Sequence, residues 1–123
     1  MKKNHKHLIL NAVVKNPIND ETSCNDWLQK LVEIVDMEIL IPPHSKYCDI
    51  SGNEGITGTV VITTSHMSIH IWPQQPNPHI RMDVYSCKDF DAEKIITFVD
   101  TTMGVVESDY LLVDRNETKL KLI

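Results

Sequence analysis

From residue 57 to residue 64 every position except Gly58 is β-branched. Such side chains lose rotamer freedom in a helix and fit a pleated surface, so the segment is predicted as a strand. Residues 67–72 predict a second strand, paired with the first across a tight reversal near Ser65. Aliphatic or alternating runs at 8–14, 38–41, 80–87 and 105–113 predict four more. Pro42-Pro43 is expected to stop the strand at 38–41, leaving 44–55 as an irregular polar loop with Gly52, Asn53 and Gly55 as turn formers. Gln74 to Pro78 holds two prolines and an asparagine and reads as a turn.

Only two stretches have helical spacing. Asn19, Asp20 and Glu21 supply cap and first-turn acids. Cys24, Trp27, Leu28, Leu31, Ile34 and Val35 then recur on one stripe, with Asp26, Lys30 and Glu33 off it. A second helix is expected at 91–100, with Ala92, Ile95, Ile96 and Val99 inward and Gly104 closing it. The charged end of the chain is expected to fray. Strands without repeated β-α-β units, plus two helices, predict an α+β fold: a two-layer sandwich of an antiparallel sheet with both helices on one face. The 123 residues fit one domain, 1–123, without a linker.

A net charge of −5 argues against binding a phosphate backbone. The basic residues at the start, Lys2, Lys3 and Lys6, read as a polar tail. The apolar run at 8–14 is interrupted by Asn11, is short for a signal peptide and precedes no small-x-small cleavage site. Nothing is long enough to span a bilayer. A cytoplasmic protein is expected, with neither nucleic acid nor membrane as partner. The three cysteines are widely spaced and odd in number, which is neither a disulfide framework nor a zinc knuckle. Cys24 and Cys48 read as small buried apolar residues.

The functional signal lies in Thr63-Thr64-Ser65-His66-Met67-Ser68-Ile69-His70-Ile71-Trp72-Pro73. His66 and His70 have the spacing of helical zinc ligands, but four residues on a strand span roughly 13 Å. Bonds of about 2.1 Å to one metal cannot bridge that gap, so no metal is expected. Ser65 is open to three readings. Serine is common at turns because its hydroxyl bonds nearby backbone. A hydrolytic triad is a second reading, without a G-x-S-x-G elbow to support it. The third is self-cleavage. The Ser65 hydroxyl attacks the Thr64 carbonyl, the peptide becomes an ester, and loss of the serine α-proton expels the ester oxygen. The dehydroalanine left behind hydrolyses to a pyruvoyl group and ammonia. That route needs a strained turn, a donor to the tetrahedral intermediate and a base, with Thr57 and His70 as candidates for the last two. The pyruvoyl carbonyl then forms a Schiff base with a substrate amine and serves as electron sink for decarboxylation. Cys87 would return a proton to carbon.

Gly55-Ile56-Thr57-Gly58, Ser65-His66, His70, Trp72-Pro73 and Asp83-Val84-Tyr85-Ser86-Cys87 together resemble the core of the small bacterial and archaeal S-adenosylmethionine decarboxylase proenzymes, with a weaker match at His7-Leu8-Ile9-Leu10. The resemblance implies cleavage between Thr64 and Ser65 into chains 1–64 and 65–123, and a pyruvoyl cofactor derived from Ser65. It makes His70 and Thr57 processing residues and Cys87 the proton donor. It also implies a homodimer with interfacial active sites and a product that donates aminopropyl groups for spermidine synthesis. Gln74 stands where the family has the glutamate that grips the ribose, and Tyr47 is the nearest candidate to stack on adenine. Thr64 replaces the usual glutamate before the serine, and Lys88 replaces the glycine after the cysteine. Two other readings are carried: a pyruvoyl-dependent decarboxylase of ornithine or arginine, and an uncleaved, non-catalytic relative acting as a binding or regulatory subunit.

Overall fold

The computed structural model describes residues 3–123. In chain order its elements are β1 (Lys3–Val14), α1 (Glu21–Ile34), β2 (Ile39–Cys48), β3 (Gly55–Ile62), β4 (Ser65–Trp72), β5 (His79–Lys88), α2 (Ala92–Met103), β6 (Val105–Asp114) and β7 (Lys121–Leu122). The strands form one sheet in the order β2-β3-β4-β5-β1-β6-β7, with every neighbouring pair antiparallel. Both helices cover one face, which makes the two-layer α+β sandwich that the pattern predicts.

Alternation decides which face each side chain takes. Leu8, Leu10, Ala12 and Val14 of β1 are buried, as are Met67, Ile69 and Ile71 of β4 and Ile80, Met82 and Val84 of β5. The helices close over them with Cys24, Trp27, Leu28 and Leu31 from α1 and Ile95, Val99 and Met103 from α2. Ile96, expected inward, is half-buried, and Met103 takes an inward place two turns later. Trp27 locks the helices together. Its ring centre lies 5.0 Å from that of Phe98, and its Nε1 donates to Thr102 Oγ1 at 2.8 Å. Both helix starts are capped by an aspartate, Asp20 and Asp91, and Gly104 ends α2 at φ +69° as expected.

Three boundaries differ from the sequence expectation. β2 does not stop at Pro42-Pro43, and much of the expected loop, through Cys48, is strand. β2 is the edge of the sheet, and its register slips on either side of Ile41, so the missing proline N–H groups cost no regular ladder bonds. The charged end carries a short strand, β7, instead of fraying throughout. At the start, Lys2 lies outside the described residues. Lys6 is not in a tail: it sits in β1, 2.8 Å from Asp89 Oδ1 and 4.8 Å from the centre of the Phe90 ring. Among the described residues no helix is long and apolar enough to cross a membrane.

Candidate active site

Thr63 and Thr64 form the two-residue turn between β3 and β4, because Ile62 pairs directly with Ser65. Turns this short favour positive φ at the central residues, hence glycine or asparagine. Both positions here are threonine, and neither has positive φ; the demand falls on Ser65, at φ +151°. An L residue in that region stores on the order of 1–3 kcal/mol of strain.

The peptide before Ser65 is held from several sides. The Cys87 N–H donates to the Thr64 carbonyl oxygen at 2.9 Å, and the Thr63 N–H donates to the Glu38 carbonyl at 2.9 Å. The buried Ser86 hydroxyl donates to Thr64 Oγ1 at 2.9 Å and accepts from the Lys88 N–H at 3.0 Å. Thr64 Oγ1 lies 3.7 Å from Met37 Sδ. A carbonyl already aligned with a backbone donor is prepared for negative charge on its oxygen, while strain at the next residue opposes relaxation.

Thr57 and His70 stand elsewhere. They face each other across β3 and β4, and Thr57 Oγ1 lies 3.0 Å from His70 Nδ1. His70 is five residues along β4 from Ser65, which is roughly 16 Å on a strand. The sequence reading put this base beside the serine, but within one chain the extended strand holds them apart. Close to His70, Trp72 stacks between two imidazoles, with ring centres 6.0 Å from His70 and 4.9 Å from His79. Trp72 Nε1 donates to Asn53 Oδ1 at 2.9 Å. Gln74 Nε2 donates to the Tyr47 hydroxyl at 3.1 Å, so the two expected substrate-binding residues do meet, although the sequence placed Tyr47 in a loop and it lies in β2. The sequence-derived candidates therefore fall into two groups: Thr64, Ser65 and Cys87 at one end of β4, and Thr57, His70, Tyr47 and Gln74 towards the other.

Ser86 stood in the motif ending at Cys87 but was given no role. Its signal was its parity: it shares the inward positions of Ile80, Met82 and Val84, where a hydroxyl needs a reason. Asp83, the first residue of the same motif, was likewise given no role. His7 Nε2 and His66 Nε2 approach its Oδ1 at 3.2 and 3.6 Å, and Ser68 Oγ donates to its Oδ2 at 2.7 Å. Among the described residues no group of three or more His, Cys, Asp or Glu side chains is arranged to hold a metal ion. Cys24 is buried, and burial pushes its thiol up. Cys48 is half-buried, less enclosed than the sequence suggested, because β2 is an edge strand.

The described structure is a two-layer α+β chain with a strained serine after a clamped carbonyl, and comparison with known proteins says to which family it belongs. The family model described as S-adenosylmethionine decarboxylase matches residues 6–116. The chain belongs to the S-adenosylmethionine decarboxylase family. A Clostridium botulinum (strain Loch Maree / Type A3) protein named S-adenosylmethionine decarboxylase proenzyme is 32% identical over 75 residues, which is 60% of each chain. A Pyrococcus furiosus protein of the same name is 25% identical over 96 residues, covering 76% of this chain and 65% of its own. The matched region thus spans 60% to 65% of the length of these curated relatives.

Proposed function

We propose that this chain is a self-processing, pyruvoyl-dependent decarboxylase of S-adenosylmethionine that cleaves itself between Thr64 and Ser65. The observation that carries the reading is the peptide itself: Ser65 at φ +151°, its preceding carbonyl held by the Cys87 N–H at 2.9 Å. Attack by the Ser65 hydroxyl on the Thr64 carbonyl carbon places charge on an oxygen that already has its donor. Opening the peptide also relieves the strain at Ser65. The relatives' printed names, each a decarboxylase proenzyme, support the same reading.

The wide separation of Ser65 and His70 supports a homodimer. One chain cannot bring its own imidazole to its own serine, but a two-fold axis can set the Ser65 end of one copy beside the His70 end of another. The face of the sheet away from the helices suits such a partner. It presents Ile9 and Leu111, both exposed, among polar groups such as Asp83 and Ser68. In the assembled site His70 of the second copy, steadied by Thr57, takes the serine α-proton. Gln74 and Tyr47 of that copy hold the ribose and adenine by hydrogen bonding and stacking. A pyruvoyl group formed from Ser65 supplies an electron-poor carbonyl that accepts the electron pair left when carbon dioxide departs. Cys87, adjoining the Ser65 end, delivers a proton to carbon.

Mass spectrometry tests the reading. Purified protein is expected as fragments 1–64 and 65–123, Ser65→Ala as one intact chain. The processed protein should release carbon dioxide from carboxyl-labelled S-adenosylmethionine and not from ornithine or arginine. Wild-type chain that stays whole through long incubation would establish the non-catalytic, uncleaved alternative.

A further inference from the structure

Lys88 stands where related chains are expected to have glycine, and the reaction above gives it no task. Its side chain reaches from the end of β5 to the connection between α1 and β2, where Nζ donates to the Asp36 carbonyl oxygen at 2.6 Å. Thr63 and Thr64 lie between those two elements: Thr63 is bonded to Glu38 on one side, and Thr64 to Cys87 on the other. Asp36, Met37, Glu38, Thr63, Thr64 and Lys88 line one cavity of about 430 Å³. Among the described residues Lys88 is its one cationic lining residue.

The charge on Lys88 has no firm partner among the described residues. The Asp36 carboxylate is 3.9 Å away and fully exposed, and such a pair contributes little. Of the three ammonium N–H donors, the Asp36 carbonyl takes one. A cation with spare donors, lining the same cavity as the residue whose peptide is to break, is placed for the group that breakage creates.

We propose that this cavity is a carboxylate site for the new chain end at Thr64, and that Lys88 is its counter-ion. The inference rests on the self-cleavage reading. In the step concerned, a base removes the Ser65 α-proton, and that electron pair becomes the Cα=Cβ double bond. The Cβ–Oγ bond breaks, and its pair leaves with the oxygen as the Thr64 carboxylate. An ammonium beside the departing oxygen lowers the barrier to that elimination and then holds the product end in place. The preceding step, attack on the carbonyl, relies on the Cys87 N–H and does not need Lys88.

The two steps can be told apart. In Lys88→Met the ester between Thr64 and Ser65 should form and persist, so hydroxylamine cuts it at Thr64 as a hydroxamate. Spontaneous cleavage should slow about tenfold or more. Lys88→Gln, which keeps a donor for the Asp36 carbonyl and loses the charge, should behave like Lys88→Met, whereas Lys88→Arg should process nearly as wild type. If Lys88→Gln cleaves at the wild-type rate, or if slow variants hold an intact amide that resists hydroxylamine, the counter-ion role is overturned while wild-type self-cleavage stands. A measurement without a variant guards against misfolding. In processed wild-type protein carrying carbonyl-¹³C threonine, the Thr64 carboxylate should titrate below the ordinary chain-end value of about 3.3–3.7. An ordinary value there overturns the site. Failure of wild-type protein to cleave at all would instead remove the reading beneath it.

Discussion

Cys87 contributes two groups that a single substitution separates. Its backbone N–H holds the Thr64 carbonyl at 2.9 Å, and its thiol is the group we propose for the later proton transfer. Cys87→Ala keeps the first and loses the second. It should therefore cleave at close to the wild-type rate and lose about 100-fold or more in turnover, read by fragment mass and by labelled carbon dioxide. A variant that fails to cleave would return the thiol to the processing step. Gly58 makes a different demand. A Cβ built there would sit 2.7 Å from Cys24 Sγ, 2.8 Å from Ser45 Oγ and 3.0 Å from Leu28 Cδ1. Gly58→Ala should cost about 1–3 kcal/mol in denaturant unfolding by overpacking the contact of α1 with β3, without touching the Thr64–Ser65 peptide. These residues differ in how far the sequence betrayed them. Ser65, His70 and Cys87 stood out because their chemistry is sparse and specific. Ser86 and Lys88 were visible only as a motif position and a departure from it, without a role, because an ordinary serine and an ordinary lysine acquire meaning only from what a strand brings opposite them.

At the scale of the element, local rules read well where one interaction dominates. Asp20 was legible as a helix start, and its carboxylate accepts from the Ser23 N–H and hydroxyl at 2.7 and 2.8 Å. Those bonds, the backbone one first, hold its acid below the usual carboxylate range. A depressed value in the folded state means the stabilisation is complete above the unfolded pKa of about 3.9 and disappears as pH falls through the folded value. Thermal melts should therefore show Asp20→Ala melting below wild type at neutral pH. The two curves should converge as pH falls through the folded value. A gap that persists there would mean the cap acts through packing and not through charge. Pro42-Pro43 misled for the converse reason: a proline pair stops a strand only when the strand needs its N–H groups. Position at the sheet edge removes that need, and edge position is a property of strand order, which no local window contains. The turn at Thr63 and Thr64 was legible as a reversal, while the strain it transfers to Ser65 depended on the register of Ile62 with Ser65.

For the molecule as a whole, alternation of apolar residues declared two layers, but it left open that β1 lies between β5 and β6 and that β2 ends the sheet. The same silence explains why the candidates read as one cluster although the fold sets them in two separate groups. Ser65 and His70 are near in sequence, and a strand converts five residues of sequence into roughly 16 Å of distance. Two complementary defects test whether a second copy closes that gap. Ser65→Ala retains Thr57 and His70 but has no nucleophile; His70→Ala retains the serine and the clamped carbonyl but has no base. Each variant alone should stay uncut. Co-expressed under different tags at equal levels, they form mixed dimers in which one site joins Ser65 from one chain to His70 from the other. About half of the His70→Ala chains should then be cleaved, because random pairing puts half of them beside a Ser65→Ala partner. None of the Ser65→Ala chains should be cut, since the bond-breaking hydroxyl is missing from their own backbone. If the His70→Ala chains remain whole in the mixture, the imidazole does not act across the interface. Cleavage of His70→Ala by itself would show that self-cleavage needs no imidazole at this position.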